Sequence, residues 1–309
     1  MSSNKTFKNL DEQVEILRNK GLKINDVDYA KEILLRENYF FLSGYRHIFM
    51  YKDNKFIEGT TFEELYSMFL YDRALRNIFF KWILVIENNF KSITSYTLSK
   101  KYGFKDKDYL NPKNFNPDSM KQRQVHDVIN KMKRQIRVNG TKHTATLHYI
   151  DNYGYIPMWI LVKVLSFGIM SEFYGILKND DQDSIANVYK IDASTLCIYL
   201  TIVANYRNIC AHEEVLYEHR TQKSIPDNLY FNLLNIPKDE DGYIYGKNDL
   251  FSLILIMKKL LTKNDFKDLV GEISYEIDKL SGRINTIEIS KILNCCGFPE
   301  NWLDISNYD

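Results

Sequence analysis

The sequence predicts an all-α protein, and three observations carry that reading. Turn formers are scarce: 309 residues hold only 13 glycines and 6 prolines, too few for the many tight turns of an all-β fold. Apolar residues recur at helical spacing rather than in alternation along most of the chain. From Thr61 to about Lys101 the sequence contains neither Gly nor Pro. With 45% apolar and 26% charged residues, the chain can bury a sizeable core without disulfides or metal. Disordered, collagen-like and low-complexity classes are excluded.

Taken in order, residues 11–19 read as a helix with Val14, Ile16 and Leu17 apolar, stopped by Gly21 at a C′ position. Asn25 or Asp26 can cap a second helix running to Asn38. The string Tyr39-Phe40-Phe41-Leu42-Ser43-Gly44-Tyr45 is too aromatic to be solvated and is expected to pack on a neighbouring helix. Residues 49–57 read as a hairpin or an irregular link. Thr61-Phe62-Glu63-Glu64 is a capping box. The helix it opens would span about 60 Å if unbroken, so a kink or break is expected. Pro117-Asp118 starts a helix to about Val138. Pro157, at a first helical position, opens one to about Leu177. Asp192 or Ser194 caps the next, to about Glu218. Pro226, Pro237 and the acidic run 239–241 mark a loop, and two or three helices follow between Asp249 and Cys295. Eight to ten helices are expected, with almost no strand.

Several chemistries are excluded. Lys+Arg number 41 and Asp+Glu 40, a net charge of +1, so no uniformly basic coat for nucleic acid exists, although a local patch remains open. The four cysteines, Cys197, Cys210, Cys295 and Cys296, form neither a CxxC pair nor a disulfide framework. No GxxxxGK[ST] or GxGxxG phosphate loop is present. No cofactor or metal is expected. The polar N-terminus argues against a signal peptide and no stretch is long enough for a membrane span, so a cytoplasmic protein of a reducing compartment is expected.

One segment combines residues suited to phosphate chemistry: Tyr206-Arg207-Asn208-Ile209-Cys210-Ala211-His212-Glu213-Glu214. The R-x4-H spacing is common by itself. A second pair, Arg137 and His143, lies across Gly140 and reads as coincidence. The first pair sits near the end of an apolar-periodic helix, which holds both side chains on a rigid element. Five positions is about 140° around a helix axis, so Arg207 and His212 flank a broad face lined by Asn208 and the small Ala211. Asn208 and His212, at i, i+4, can hydrogen-bond. Cys210 faces away and reads as a packed thiol. Arg is a permanent two-pronged phosphate clamp, and His exchanges a proton near neutral pH. Together, without a metal, they suit RNA cleavage through the RNA's own 2′-OH. One His does not easily serve as both acid and base, whereas two motifs facing each other in a dimer supply both. The bland alternative is an Arg207 pair with Glu213 or Glu214 and a His favoured by the helix dipole.

The pattern Arg207-Asn208-x-x-Ala211-His212 resembles the signature of the HEPN superfamily of helical ribonucleases, and the chain as a whole resembles abortive-infection proteins of the AbiD/AbiF type. Supporting matches occur in order: Glu12-Gln13 through Gly21-Leu22, Asn38-Tyr39 to Leu42-Ser43-Gly44-Tyr45, Leu70-Tyr71-Asp72-Arg73-Ala74-Leu75-Arg76 followed by Ile86-Glu87, Ile156-Pro157-Met158-Trp159, and Leu165-Ser166-Phe167-Gly168. The resemblance implies a HEPN-like helical bundle with an N-terminal helical extension (1–58), a catalytic core (59–222) and further C-terminal helices packed on it (223–309). It also implies a metal-independent endoribonuclease acting as a toxin in anti-phage defence, a homodimer with a composite site, and control by a small non-coding RNA antitoxin. Arg207 and His212 match the catalytic positions, Asn208 the polar position between them, and Glu87 an acidic position on the helix beside it. Glu213-Glu214 departs from the family's polar or basic residues there, and two carboxylates would repel phosphate unless turned away.

Residues 121–142 carry seven Lys/Arg against one Asp, a local charge of +6 in a chain whose total is +1. Lys121, Arg123, Lys131, Lys133, Arg134 and Arg137 read either as a solvated face or as RNA contacts. Arg73 and Arg76 pair with Glu87 or other acids, or point into the cleft. His47 and His126 have no partner pattern, and most Tyr and Phe read as core. Two functions remain: a dimeric HEPN ribonuclease, or a HEPN-fold RNA-binding module with little or no cleavage.

Overall fold

The structure, a computed structural model, describes residues 6–140 and 142–308. The chain runs through α1 (Leu10–Asn19), α2 (Val27–Glu37), α3 (Tyr39–Ser43), α4 (Phe62–Tyr102), α5 (Asp106–Tyr109), α6 (Gln122–Asn139), α7 (Thr144–Tyr153), α8 (Met158–Val164), α9 (Phe167–Gly175), α10 (Asn179–Ala186), α11 (Ala193–Ala211), α12 (Leu229–Leu233), α13 (Leu250–Leu260), α14 (Lys263–Ser281) and α15 (Ile289–Cys296). A two-residue hairpin pairs β1 (Lys238–Asp239) antiparallel with β2 (Gly242–Tyr243), Lys238 opposite Tyr243. The fold class is all-α, as the sequence predicts. Among the described residues no helix is long and apolar enough to cross a membrane.

The 41-residue α4 organises the rest. It runs without a break over its whole length. Its buried residues, Met68, Leu75, Phe79, Ile83 and Phe90 among them, lie under α8, α10, α11 and α14, all of which pack on it. Neighbours on several sides explain why it shows no single apolar stripe. The buried apolar residues from Val14 to Ile305 form one cluster that runs through all three segments of the chain.

The capping box forms as expected. Glu64 N–H donates to Thr61 Oγ1 at 3.2 Å, and Thr61 N–H donates to Glu64 Oε2 at 2.9 Å. Glu64 also reaches across the fold: its Oε1 accepts from the backbone N–H of Asn285 and of Thr286, both at 2.7 Å. The start of α4 is thereby tied to the segment after α14.

Other elements differ from expectation for local reasons. The helix expected over 157–177 divides in two. Pro157 is the N-cap of α8 rather than its first residue, Leu165 is extended, and Ser166 Oγ accepts from Ile169 N–H to start α9. Pro117-Asp118 opens a 3₁₀ turn (Ser119–Lys121) that leads into α6. Helices α7 and α10 were not anticipated. Both are short, and neither has a side-chain N-cap that would mark its start.

Glu64→Ala should lower stability by roughly 1–3 kcal/mol in urea unfolding, because it removes the buried carboxylate that accepts from the backbone N–H groups of Asn285 and Thr286. A loss below about 1 kcal/mol would mean that water replaces the carboxylate.

Candidate active site

The motif lies at the C-terminal end of α11. The N-terminus of that helix is held by Asp192, whose Oδ1 accepts from Thr195 N–H at 2.8 Å and Oδ2 from Thr195 Oγ1 at 2.6 Å. These donors, with the Ser194 hydroxyl first among them, lower the Asp192 pKa to about 2. At the other end the helix stops at Ala211, not near Glu218. His212 is the C-cap, and its N–H donates to Asn208 O. Glu213 takes a left-handed conformation at φ 56°, and Glu214 N–H closes onto Ile209 O at 3.2 Å. This closing turn satisfies the last carbonyls of α11 and leaves His212 exposed at its tip.

The chain after the turn is captured by α4. Asp72, fully buried, accepts from the backbone N–H of Leu216 at 3.0 Å and of Tyr217 at 2.8 Å. Its Oδ2 also accepts from the Tyr45 hydroxyl at 2.8 Å and from Arg76 Nη1. Burial pushes the Asp72 carboxyl up, while Arg76, the two backbone amides and Tyr45 oppose that rise. Arg76 Nη1 donates as well to Glu214 O at 3.2 Å. Tyr45 stacks on Tyr217, with ring centroids 6.0 Å apart. Gly44 lies close enough to Val215 that a Cβ would sit 3.1 Å from its Cγ2. Tyr45 and Gly44, at the end of the aromatic string, therefore pack against the segment that follows the motif, whereas Phe40 and Phe41 are exposed, contrary to the expectation that the whole string is shielded from water.

Between them these elements enclose a cavity of about 710 Å³. His212, Glu213 and Glu214 line one side, and Arg46, Arg73 and Arg76 are among the cations facing them. Arg73 is held by Glu37 through a two-pronged pair, with Nη1 to Oε1 at 3.0 Å. Arg76 is held by Asp72. Among the described residues Arg46 has no ion pair, and its Nε is buried without a hydrogen-bond partner. Arg73 and Arg76 therefore pair with acids and also line the cleft, but neither pairs with Glu87. Glu213 and Glu214 both line the cavity, Glu214 with its backbone carbonyl taking the Arg76 donor.

Arg207 does not line this cavity. Its guanidinium carbon lies 5.7 Å from the ring centroid of Phe80 on α4, and its Nε is buried without a hydrogen-bond partner. The alternative pair of Arg207 with Glu213 or Glu214 does not form among the described residues. Asn208 is exposed, and it meets His212 through its backbone carbonyl, not its side chain. Cys210 is a packed thiol, pushed up to about 12 by burial. Glu87 lies seven residues beyond Phe80 on α4, about 10 Å along the axis, where it pairs with Lys91 at 2.6 Å. His212 thus shares a cavity with arginines from α4 and the N-terminal segment, whereas Arg207 and Glu87 lie outside it.

The basic segment forms α6. Its apolar stripe, Val125, Val128, Ile129 and Met132, is buried, while Arg123, Lys131, Lys133, Arg134 and Arg137 are exposed and Lys121 is half-buried. Lys131 pairs with Glu172 of α9 at 2.6 Å. None of these residues lines the His212 cavity. Among the described residues no group of three or more His, Cys, Asp or Glu is arranged to hold a metal ion. Sequence reasoning assigned no part in the site to Asp72, Tyr45 or His47. The one available signal was the i, i+4 charge pair Asp72/Arg76 in the middle of a run of apolar residues on α4.

The model of the Abi-like protein family matches residues 32–218, more than half of the chain, from α2 through the closing turn and the captured strand of backbone beyond it. The chain belongs to this abortive-infection family. No curated protein and no solved structure matches it. The Abi-like match takes in Tyr45, Asp72, Arg76, Arg207 and His212 together, and ends where Tyr217 binds Asp72.

Asp72→Asn leaves Arg76 buried without its counter-charge. It should cost about 3–5 kcal/mol and speed amide exchange at Leu216 and Tyr217. Exchange there at the wild-type rate would mean that Asp72 does not hold the segment. Asp192 contributes stability that is fully present above its ordinary pKa of 3.8 and is lost as pH falls toward 2. Asp192→Asn should flatten that acid limb of the stability curve, and an unchanged limb would assign it to other carboxylates.

Proposed function

We propose that this Abi-like protein is a metal-independent endoribonuclease of the HEPN type, acting as the toxic arm of abortive infection under control of a small non-coding RNA. The observation that carries this reading is an exposed His212, fixed at a helix end, facing an arginine-lined cavity. His212 exchanges the proton of an RNA 2′-OH or of the leaving 5′-oxygen, and arginine stabilises the charge that builds on phosphorus. Attack by the 2′-OH forms its bond to phosphorus as the bond to the 5′-oxygen breaks, so the products are a 2′,3′-cyclic phosphate and a 5′-hydroxyl.

We further propose that the working form is a two-fold dimer in which two motifs meet. Arg207 and His212 diverge around α11, and the half-buried Arg207, beside Phe80, has no carboxylate partner among the described residues. A symmetric contact through the Arg207 side of α11 brings two Arg207–His212 sets together, so that one His acts as base and its copy as acid. Arg207 outside the His212 cavity also favours the second reading, a HEPN-fold RNA-binding module in which Arg207 and His212 only hold phosphate.

His212→Ala should abolish RNA cleavage and growth arrest, because a general acid–base group contributes typically about 10²–10⁴-fold. Arg207→Lys keeps the charge but loses the fork and should be nearly as damaging. Cleavage should persist in EDTA. A toxic His212→Ala protein, or a requirement for a divalent ion, would move the chemistry elsewhere. RNA binding without any cleavage would establish the second reading. A monomer at micromolar concentration in light scattering would remove the dimer.

A further inference from the structure

A second polar groove lies between α4 and α8, away from the His212 cavity. Its volume is about 430 Å³, and Lys91, Ser92, Ser95, His143, Trp159 and Lys163 are among its lining residues. Lys91 is buried and held by Glu87. Glu87 Oε2, beside it, and His143 Nδ1 are both buried without a hydrogen-bond partner among the described residues. The groove thus offers the Lys163 cation, serine hydroxyls and a His143 ring nitrogen with capacity to spare, while Lys91 is paired with Glu87, which is not among the lining residues. His143 is the N-cap of α7 and follows the C-terminal end of the basic α6 by four residues.

Aromatic rings continue outward from Trp159. Its ring centroid lies 5.8 Å from that of Phe104, Phe104 lies 5.6 Å from Tyr155, and Tyr155 lies 6.2 Å from Tyr153. These rings are not core. Trp159 is 44% exposed, Phe104 40% and Tyr153 56%. Lys105 Nζ sits 5.0 Å from the Tyr155 ring, adding charge beside the row. Leaving such a row of large rings in water forgoes the burial that stabilises the rest of the molecule. A chain of accessible π-faces beside cations is what unpaired nucleotides bind: bases stack on the rings and phosphates meet Lys and His.

We propose that this groove and its aromatic row bind an unpaired stretch of RNA, with bases on Trp159, Phe104 and Tyr153 and a phosphate between Lys163 and His143. The proposal rests on the reading of RNA as the protein's partner, but not on catalysis. It assigns binding to a face other than the one that carries His212. It also gives the α6 cations a role: they attract the backbone of the same strand.

The test uses full-length protein carrying His212→Ala, to prevent cutting, and a fluorescein-labelled 12-nucleotide single-stranded RNA. The same sequence in a blunt duplex is the control. Anisotropy should show binding of the single strand and at least tenfold weaker binding of the duplex. Trp159→Ala and Tyr153→Ala should each weaken the single strand by about 5- to 150-fold, and Trp159→Phe should retain most of the affinity. Lys163→Glu should weaken binding and flatten its salt dependence. Trp82 and Trp302 are buried, so RNA should quench mainly Trp159 emission, and the quench should vanish in Trp159→Phe. Unchanged affinity in a folded Trp159→Ala/Tyr153→Ala protein, or equal binding of duplex and single strand, overturns the proposal. If wild-type protein binds the strand but never cuts RNA, the catalytic reading falls and this one stands.

Discussion

The carboxylate of Asp72 is the constraint on which the site depends. A fully buried acid is tolerable only when its lone pairs are filled, and here Arg76, the Tyr45 hydroxyl and two backbone amides fill them. Each donor comes from a different part of the molecule or fixes one part to another. Tyr45 brings the N-terminal segment, Arg76 comes from the next turn of α4, and Leu216 and Tyr217 bring the chain that follows α11. Satisfying one charge thus joins three sequence regions around the end of α11. The turn at His212–Glu214 has little freedom, because the residues on both sides of it are anchored.

The cavity that results is electrostatically mixed. Arg73 and Arg76 are committed to Glu37 and Asp72, and Glu213 and Glu214 share the lining. Arg46 is the lining arginine with no ion pair among the described residues. A phosphate entering the cavity meets a preorganised but largely neutralised set of cations. Displacing Glu37 would free Arg73 toward the cavity.

Much of the fold was legible in the sequence because it is written in local signals. The capping box at Thr61, the Asp192 cap and Gly21 at a C′ position mark ends that form as read. The breaks at Leu165 and Ala211 were not legible. The first depends on a Ser cap inside an apolar run. The second depends on a left-handed Glu213 and on Asp72, some 140 residues away in sequence. Of the site, Arg207 and His212 were visible as residue types at a spacing, but their divergence onto separate faces depends on where α11 ends. The roles of Tyr45 and Asp72 were hidden because they are tertiary contacts. The exposed aromatic row near Trp159 was not legible, since helical spacing alone does not tell which rings lack a neighbour.

The central claim is that an Asp72-anchored His212 works in a site shared by two copies of the chain. Subunit mixing tests it most directly. Wild-type and His212→Ala proteins are exchanged in equal amounts, and RNA cleavage is compared with that of the undiluted wild type. A shared site in which each copy supplies one His requires two wild-type chains, so one quarter of the activity should remain. One half would contradict the account: each protomer would then act alone, with His47, which lines the same cavity as His212, available for the second proton transfer.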